Sequence, residues 1–212
     1  MSLKIRRQLV DNLRYSYGQG NTKRYITIHE TANTRAGADA QAHANLQSRG
    51  FSSSFHWQVD DKEAIQSYDH GVQCWHAGDG RGAGNTQSIA IEICVNSDGD
   101  FTQAVENAAA LTAKIMSEEN IPIENVVQHN RWSGKNCPTY LRNGSKGIRW
   151  ADFIAMVNGE EAEVKTTKPS KPKVKSTSTK TPNESLAVDG KWGKDTTRAL
   201  QRYLDTPVDG II

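Results

Sequence analysis

Two short isoleucine-rich stretches, RYITIH at residues 24–29 and SIAIEICV at residues 88–95, decide the fold class of this chain. In both, apolar and polar residues alternate with period two, the pattern of a strand with one buried face. The isoleucines of each strand share one face, and His29 and Glu92 lie on the opposite faces. A carboxylate inside such a strand is costly to bury unless it is paired or faces a cleft. We therefore expect one face of the sheet under helices and a histidine and a glutamate on the other.

Outward from these strands, helix and strand signals alternate along the chain. An alanine-rich stretch that ends at Gly50 predicts a helix, and two apolar stretches around Asp60-Asp61-Lys62 predict a hairpin. The predicted elements are a helix at 38–49, hairpin strands at 54–59 and 63–67, a helix at 103–119 capped by Thr102, a strand at 126–129 and a helix at 150–157. This alternation indicates an α/β fold with a mixed central sheet flanked by helices.

The composition changes sharply after residue 158 of the 212-residue chain. Residues 159–184 contain six Lys, eight Ser or Thr, three Pro and no aromatic residue, which is typical of an extended linker. A cationic anchor to an anionic surface is the alternative for this stretch. Residues 185–212 have helical spacing and a Val-Asp-Gly sequence that occurs twice, but they are too few to close a core alone. The predicted organisation is a main domain at 1–158, a linker and a partial helical module.

Charge and hydropathy exclude several classes of protein. Residues 1–158 carry 16 basic and 16 acidic residues, so this domain has no electrostatic footprint for nucleic acid. No apolar run approaches the roughly 18 residues of a membrane span, and the first residues contain no apolar core of a secretory signal peptide. The three cysteines are too few and too irregularly spaced for a disulfide framework, which favours a reducing compartment.

The sequence HNRWSGKNCP at residues 129–138 places a histidine and a cysteine eight residues apart around an irregular loop. Imidazole and thiolate together suit zinc, and two histidines with one cysteine leave a fourth position open for water, as in catalytic zinc sites. Each residue also has a structural interpretation. Cys137 is alternatively a small buried hydrophobe, His29 a hydrogen-bonded core residue and Glu92 a structural carboxylate.

The glycine-rich loop GDGRGAG at residues 78–84 is a weak candidate for phosphate binding. It lacks a Lys-Ser/Thr pair, and we expect no helix directly after it. The preferred interpretation is a mobile edge of a groove.

Four stretches together resemble the zinc-dependent N-acetylmuramoyl-L-alanine amidases, a family that includes phage endolysins, bacterial cell-wall amidases and peptidoglycan recognition proteins. They are YITIHETAN at 25–33, SFHWQVDD at 54–61, the segment from Cys74 to Cys94, and HNRWSGKNCP at 129–138. The resemblance covers about residues 20–157 and is strongest to amidase endolysins of phages that infect Bacillus-like hosts.

The resemblance implies that zinc is bound by His29, His129 and Cys137. It also implies that Glu92 is the catalytic glutamate and that Lys135 assists the developing oxyanion. The bond cleaved would be the amide between N-acetylmuramic acid and L-alanine in bacterial peptidoglycan.

The chain departs from many relatives at one position next to the site. Where they have a tyrosine, this chain has Phe55, so the polar role is expected to rest on Glu92. Phe55, His56, Trp75 and His76 are the candidate groove residues, with ligand contact and a structural role weighed equally for His56 and His76.

The resulting hypothesis is a monomeric phage endolysin that does not insert into membranes. It would accumulate in the host cytoplasm and then reach the cell wall, with an autolysin exported by a non-classical route as the alternative. The rival functions are a receptor that binds peptidoglycan without cutting it, and a cysteine peptidase that uses Cys137 with His129 or His29.

Overall fold

A computed structural model describes residues 3–159. The predictions for the linker beyond Gly159 and for the 185–212 module lie outside the described residues. The strands are β1 (Lys4–Arg7), β2 (Ser16–Gln19), β3 (Tyr25–Glu30), β4 (Trp57–Val59), β5 (Glu63–Gln66), β6 (Val72–Cys74), β7 (Ser88–Ile93) and β8 (Val126–Gln128). The α-helices are α1 (Ala40–Ser48), α2 (Ala83–Gln87), α3 (Phe101–Glu119), α4 (Asn130–Ser133), α5 (Thr139–Asn143) and α6 (Trp150–Val157).

One mixed sheet organises the described residues, with strand order β1-β5-β4-β7-β3-β8. Strand β3 lies between β7 and β8 and is parallel to both, while β4 and β5 form the predicted antiparallel hairpin. A small antiparallel pair, β2 and β6, lies apart from this sheet. The expected α/β class with a mixed central sheet is confirmed.

The main hydrophobic core lies on the isoleucine face of β3 and β7. The isoleucines of both strands are fully buried and cluster with apolar side chains of α3 and α6. In α3 the buried apolar residues recur at intervals of one helical turn, which gives this helix one face against the sheet. The opposite face of the sheet carries His29 and Glu92, which are directly paired in register between β3 and β7. The alternation in the sequence therefore predicted the two faces correctly.

Four local features differ from the sequence-based expectations. Helix α3 begins at Phe101 and is capped by the Asp100 side chain, which accepts the Gln103 N–H, so the prediction of Thr102 as the cap is wrong. Helix α2 begins at Ala83, inside the glycine-rich loop, although no helix was expected there. Strand β1 and the β2–β6 pair were not predicted.

Candidate functional site

Three candidate metal donors meet at the carboxyl edge of the sheet. His29 is near the end of β3, and His129 directly follows β8, its parallel neighbour. Cys137 returns to this edge on the loop between α4 and α5. One potential ligand atom from each of the three residues lies within 4.8 Å of the others, and all three side chains are buried. Residues at opposite ends of the described domain therefore form one cluster of two nitrogens and one sulfur.

A chain of hydrogen bonds leaves the Nδ1 atom of His29 free to bind. Ser88 Oγ donates its only proton to the Gly84 carbonyl, at 2.7 Å, so His76 Nε2 must donate to Ser88, at 3.3 Å. His76 Nδ1 is then an acceptor and receives the proton of His29 Nε2 at 3.0 Å. This network assigns the tautomer of His29 and leaves the lone pair of Nδ1 toward the cluster.

The hydrogen bonds of His129 likewise leave its Nδ1 atom available as a donor to a metal. Its Nε2 lies 3.0 Å from the Ala77 carbonyl, which can only accept, so Nε2 carries the proton. Its Nδ1 is buried and has no hydrogen-bond partner among residues 3–159. Burial lowers the pKa of both His129 and His29, which keeps the rings neutral, as metal ligands must be.

Cys137 is held against the end of β3. Its Sγ accepts the backbone N–H of Glu30 at 3.4 Å. Burial raises the pKa of the Cys137 thiol to about 12, and a neighbouring metal cation reverses such a shift by stabilising the thiolate.

Glu92 lies beside the three candidate donors, and one of its carboxylate oxygens makes no hydrogen bond to the described residues. Its Oε1 is 3.9 Å from His29 Nδ1, and its buried Oε2 has no hydrogen-bond partner within the described part of the chain. Burial raises the pKa of the Glu92 carboxyl to about 7, and the Lys135 ammonium opposes part of this rise. A carboxyl with a pKa near neutrality can both accept and return a proton at physiological pH.

A groove of about 470 Å³ reaches this cluster at His129, which is part of its lining. Lys135 is exposed and lines the groove together with Trp75 and His76. The other lining residues are Tyr17, Ser53, Gly78, Gly80, Asn85, His129 and Ser133. Gly78 and Gly80 belong to the glycine-rich loop, which therefore forms one edge of the groove.

Phe55 and His56 do not line this groove, and their prediction as groove residues is corrected. Both are buried, and His56 has no exposed surface. His56 Nδ1 accepts the Ala90 N–H at 2.9 Å and Nε2 donates to the Val72 carbonyl at 2.9 Å, so it ties β7 to β6. Its burial lowers its pKa to about 3, which is consistent with a neutral structural histidine.

Sequence reasoning missed three residues that shape the site. Tyr17 lies on β2, which was not predicted, and it packs edge-to-face on Trp75 with ring centroids 5.4 Å apart. Ser88 supports His76, and Glu30 supports Cys137. Only Glu30 has a signal in the sequence, since it is a carboxylate at the end of an apolar strand directly after His29.

The fold and the site define a class of α/β proteins with a buried cluster of nitrogen and sulfur atoms, a candidate metal site, at the carboxyl edge of a mixed sheet. Comparison with known proteins identifies the family within this class. The family model described as N-acetylmuramoyl-L-alanine amidase matches residues 19–140, and the chain belongs to this family.

Curated relatives and a solved structure agree with this assignment. The chain is 48% identical to the N-acetylmuramoyl-L-alanine amidase XlyA of Bacillus subtilis over 143 residues, which are 67% of this chain and 46% of XlyA. It is 45% identical to the amidase CwlH of the same organism over 150 residues, 70% of this chain and 58% of CwlH. The chain thus spans about half the length of these relatives. A mutant endolysin from Bacillus subtilis superposes with a TM-score of 0.69 at 42% identity, covering 74% of this chain and 99% of that chain.

Proposed function

We propose that this chain is a zinc-dependent N-acetylmuramoyl-L-alanine amidase. It would hydrolyse the amide bond between the lactyl group of N-acetylmuramic acid and the L-alanine of the stem peptide. The observation that carries the proposal is the cluster of His29, His129 and Cys137, with Glu92 Oε1 3.9 Å from His29 Nδ1. His129 also lines an open groove. The relatives named above are amidases, which supports the same reaction.

The residues present fit zinc. Two neutral imidazoles and one thiol form a donor set of the kind that zinc binds, and three protein ligands leave a position for water. The buried, unpartnered Nδ1 of His129 is explained if it is a ligand atom. When bound, zinc supplies Lewis acidity and lowers the pKa of water.

Glu92 and Lys135 would perform the proton and charge chemistry. The buried Oε2 of Glu92 has no hydrogen-bond partner among the described residues, so it would be available to accept a proton from the attacking water. Glu92 would take that proton and deliver it to the departing amine nitrogen of L-alanine. The Lys135 ammonium, on the groove wall, would stabilise the negative charge that develops on the amide oxygen.

The setting that this activity suggests is lysis of a bacterial cell by a phage endolysin. The partner would be peptidoglycan, and we expect a monomer that binds no nucleic acid and inserts into no membrane. It would be present in the host cytoplasm before lysis and then at the cell wall. Among the described residues, the helices are all too short or too polar to cross a bilayer.

The rival functions make different demands on the same residues. A receptor that does not cut peptidoglycan has no need of Glu92 or of a thiolate donor. A cysteine peptidase needs an accessible Cys137, whose side chain here is buried and accepts the Glu30 N–H.

The Glu92→Gln variant tests the proposal directly. The amide keeps the size of the side chain but cannot accept a proton, so we expect normal zinc content and a loss of turnover of about 10²–10⁴-fold. Zinc is measured by atomic emission, and turnover by the release of L-alanine amino termini from purified sacculi. Glu106→Gln, the same change on the exposed face of α3, is the matched control.

Three outcomes would contradict the proposal. A zinc-replete Glu92→Gln protein with wild-type turnover would exclude the role of Glu92. Release of reducing sugar ends instead of L-alanine amines would exclude the amidase reaction. Activity that survives chelation but is lost on thiol alkylation would favour the cysteine peptidase.

A further inference from the structure

Glu30 is a buried carboxylate next to a candidate metal donor. It is the last residue of β3, directly after His29, and only 7% of it is exposed. None of the ion pairs between described side chains involves Glu30. A buried carboxylate without an ion pair needs other compensation.

The compensation comes from a segment more than 100 residues away. One carboxylate oxygen of Glu30 accepts the backbone N–H of Tyr140 at 2.8 Å, and the other accepts that of Leu141 at 3.0 Å. These amides belong to the first turn of α5, whose N-cap residue, Pro138, has no side-chain hydrogen bond to offer. The Glu30 side chain therefore caps α5 from another element.

The backbone of Glu30 contacts the other side of the same segment. Its N–H donates to Cys137 Sγ at 3.4 Å. A hydrogen bond of this kind favours the charged form of the sulfur. Side chain and backbone of one residue thus bracket the turn from Cys137 to Leu141. Because His29 precedes Glu30 in β3, the same peptide connects two of the three donors.

We propose that Glu30 is a positioning residue that places the Cys137 sulfur next to His29 before the metal binds. The inference rests on the proposed function, because it presumes that the three donors bind zinc. Without the two carboxylate contacts, the first turn of α5 would have unpaired amides, and the Cys137 loop would detach from the end of β3. Metal binding would then have to order the Cys137 loop as well, and this would lower the metal affinity.

The test measures cobalt binding to the full chain with Glu30→Ala and Glu30→Gln. Cobalt replaces zinc and reports thiolate ligation through a charge-transfer band in the near ultraviolet. We expect Glu30→Ala to bind cobalt about 10–100-fold more weakly with a reduced band. Glu30→Gln keeps one acceptor oxygen but turns an amide NH2 toward the second backbone N–H, so its affinity should be intermediate.

Asp60→Ala is the matched control for loss of stability. Asp60 is also a buried carboxylate that accepts backbone N–H groups, from Ala40, Lys62 and Glu63. We expect this variant to unfold more easily but to bind cobalt with wild-type affinity and a wild-type band.

A second measurement is independent of the metal. In the metal-free protein, the rate at which Cys137 reacts with a thiol reagent, located by peptide mass mapping, should rise in both Glu30 variants. Cys74 and Cys94 are internal references because they are buried elsewhere. If Glu30→Ala does not fold, Glu30→Gln decides the outcome with both measurements.

The results separate this inference from the proposed function. Wild-type cobalt affinity and wild-type Cys137 reactivity in the Glu30 variants would overturn the positioning role. Equal losses of cobalt affinity in Asp60→Ala and Glu30→Ala would also overturn it, since they would reflect stability alone. Failure of the wild-type chain to bind cobalt would instead refute the proposed metal site.

Discussion

His76 determines which ring nitrogen of His29 is free to act as a donor, through a 3.0 Å bond to His29 Nε2. We predict that His76→Ala weakens zinc binding about 10–100-fold, because His29 loses the partner that fixes its tautomer and ring orientation. Competition with a chromophoric chelator measures the affinity. His70→Ala is the control, since His70 also bonds two side chains, Trp57 and Glu119. An unchanged affinity in His76→Ala would show that His29 is oriented by packing alone.

Single residues were predictable where their position depends on neighbours along the chain. Period-two alternation predicted that His29 and Glu92 lie opposite the isoleucines of their own strands. Because β3 and β7 are parallel neighbours, both residues then lie on the same face of the sheet. The burial of His56 was not predictable, because its two partners, Val72 and Ala90, lie on other strands. Spacing in the sequence carries no information about such contacts.

At the scale of elements, strand β1 joins the sheet edge by pairing with β5 and adds ion pairs to that strand. Its sequence, Lys-Ile-Arg-Arg, lacks an apolar face, which explains why alternation did not predict it. Lys4 and Arg6 both form ion pairs with Glu63 of β5, the strand to which β1 is paired. The hydrogen bond from Arg6 is the main reason that the pKa of Glu63 is lowered to about 2.

This contact predicts part of the acid sensitivity of the protein. The pKa of Glu63 falls from 4.5 to about 2 on folding, so between these pH values the unfolded chain binds more protons than the native one. The free energy of unfolding should therefore decrease as the pH falls through this window. We predict that Glu63→Gln loses roughly 2 kcal/mol at pH 6 and little at pH 2, as measured by urea unfolding.

The control for this prediction is Asp69→Asn. Asp69 pairs with Arg7 of the same strand, but both side chains are more than half exposed. Exposed pairs contribute about 0–1 kcal/mol, so this variant should follow the wild-type curve at both pH values. A difference between Glu63→Gln and wild type that stays the same from pH 6 to pH 2 would show that the ionisation of Glu63 contributes nothing to stability.

Helix boundaries were less predictable than helices. Asp and Thr are both favoured N-cap residue types, and the prediction chose Thr102. The structure uses Asp100 because Phe101 then joins the helix and is buried in the main core. The C-terminal end of α3 is set by a single residue. Asn120 adopts φ +54°, a left-handed conformation that asparagine tolerates and that ends the helix.

At the scale of the described domain, one face of the sheet carries the main core and the other carries the candidate site. The isoleucine face is closed by α3 and α6 and supplies the main apolar core. The other face keeps polar side chains that burial would otherwise exclude, and each is compensated by a specific contact. His56 bonds to backbone, and His76 bonds to Ser88. On this support the two candidate histidine donors stay neutral and each keeps a ring nitrogen available, which is the state in which a histidine can bind a metal.

The described fold predicts where the chain can be shortened. Sheet, core and site all lie within residues 3–159, so we propose that a chain cut after Gly159 keeps the melting temperature and the release of L-alanine amines from short muropeptides. A chain cut after Gly147 should not fold, because it loses Phe153 and Val157 from the main core. Deleting one large buried side chain costs about 3–5 kcal/mol, and domains have only about 5–15 kcal/mol in total. Thermal unfolding followed by circular dichroism compares both with the full chain. A fall of more than about 5 °C after the cut at Gly159 would show that later residues stabilise the described domain.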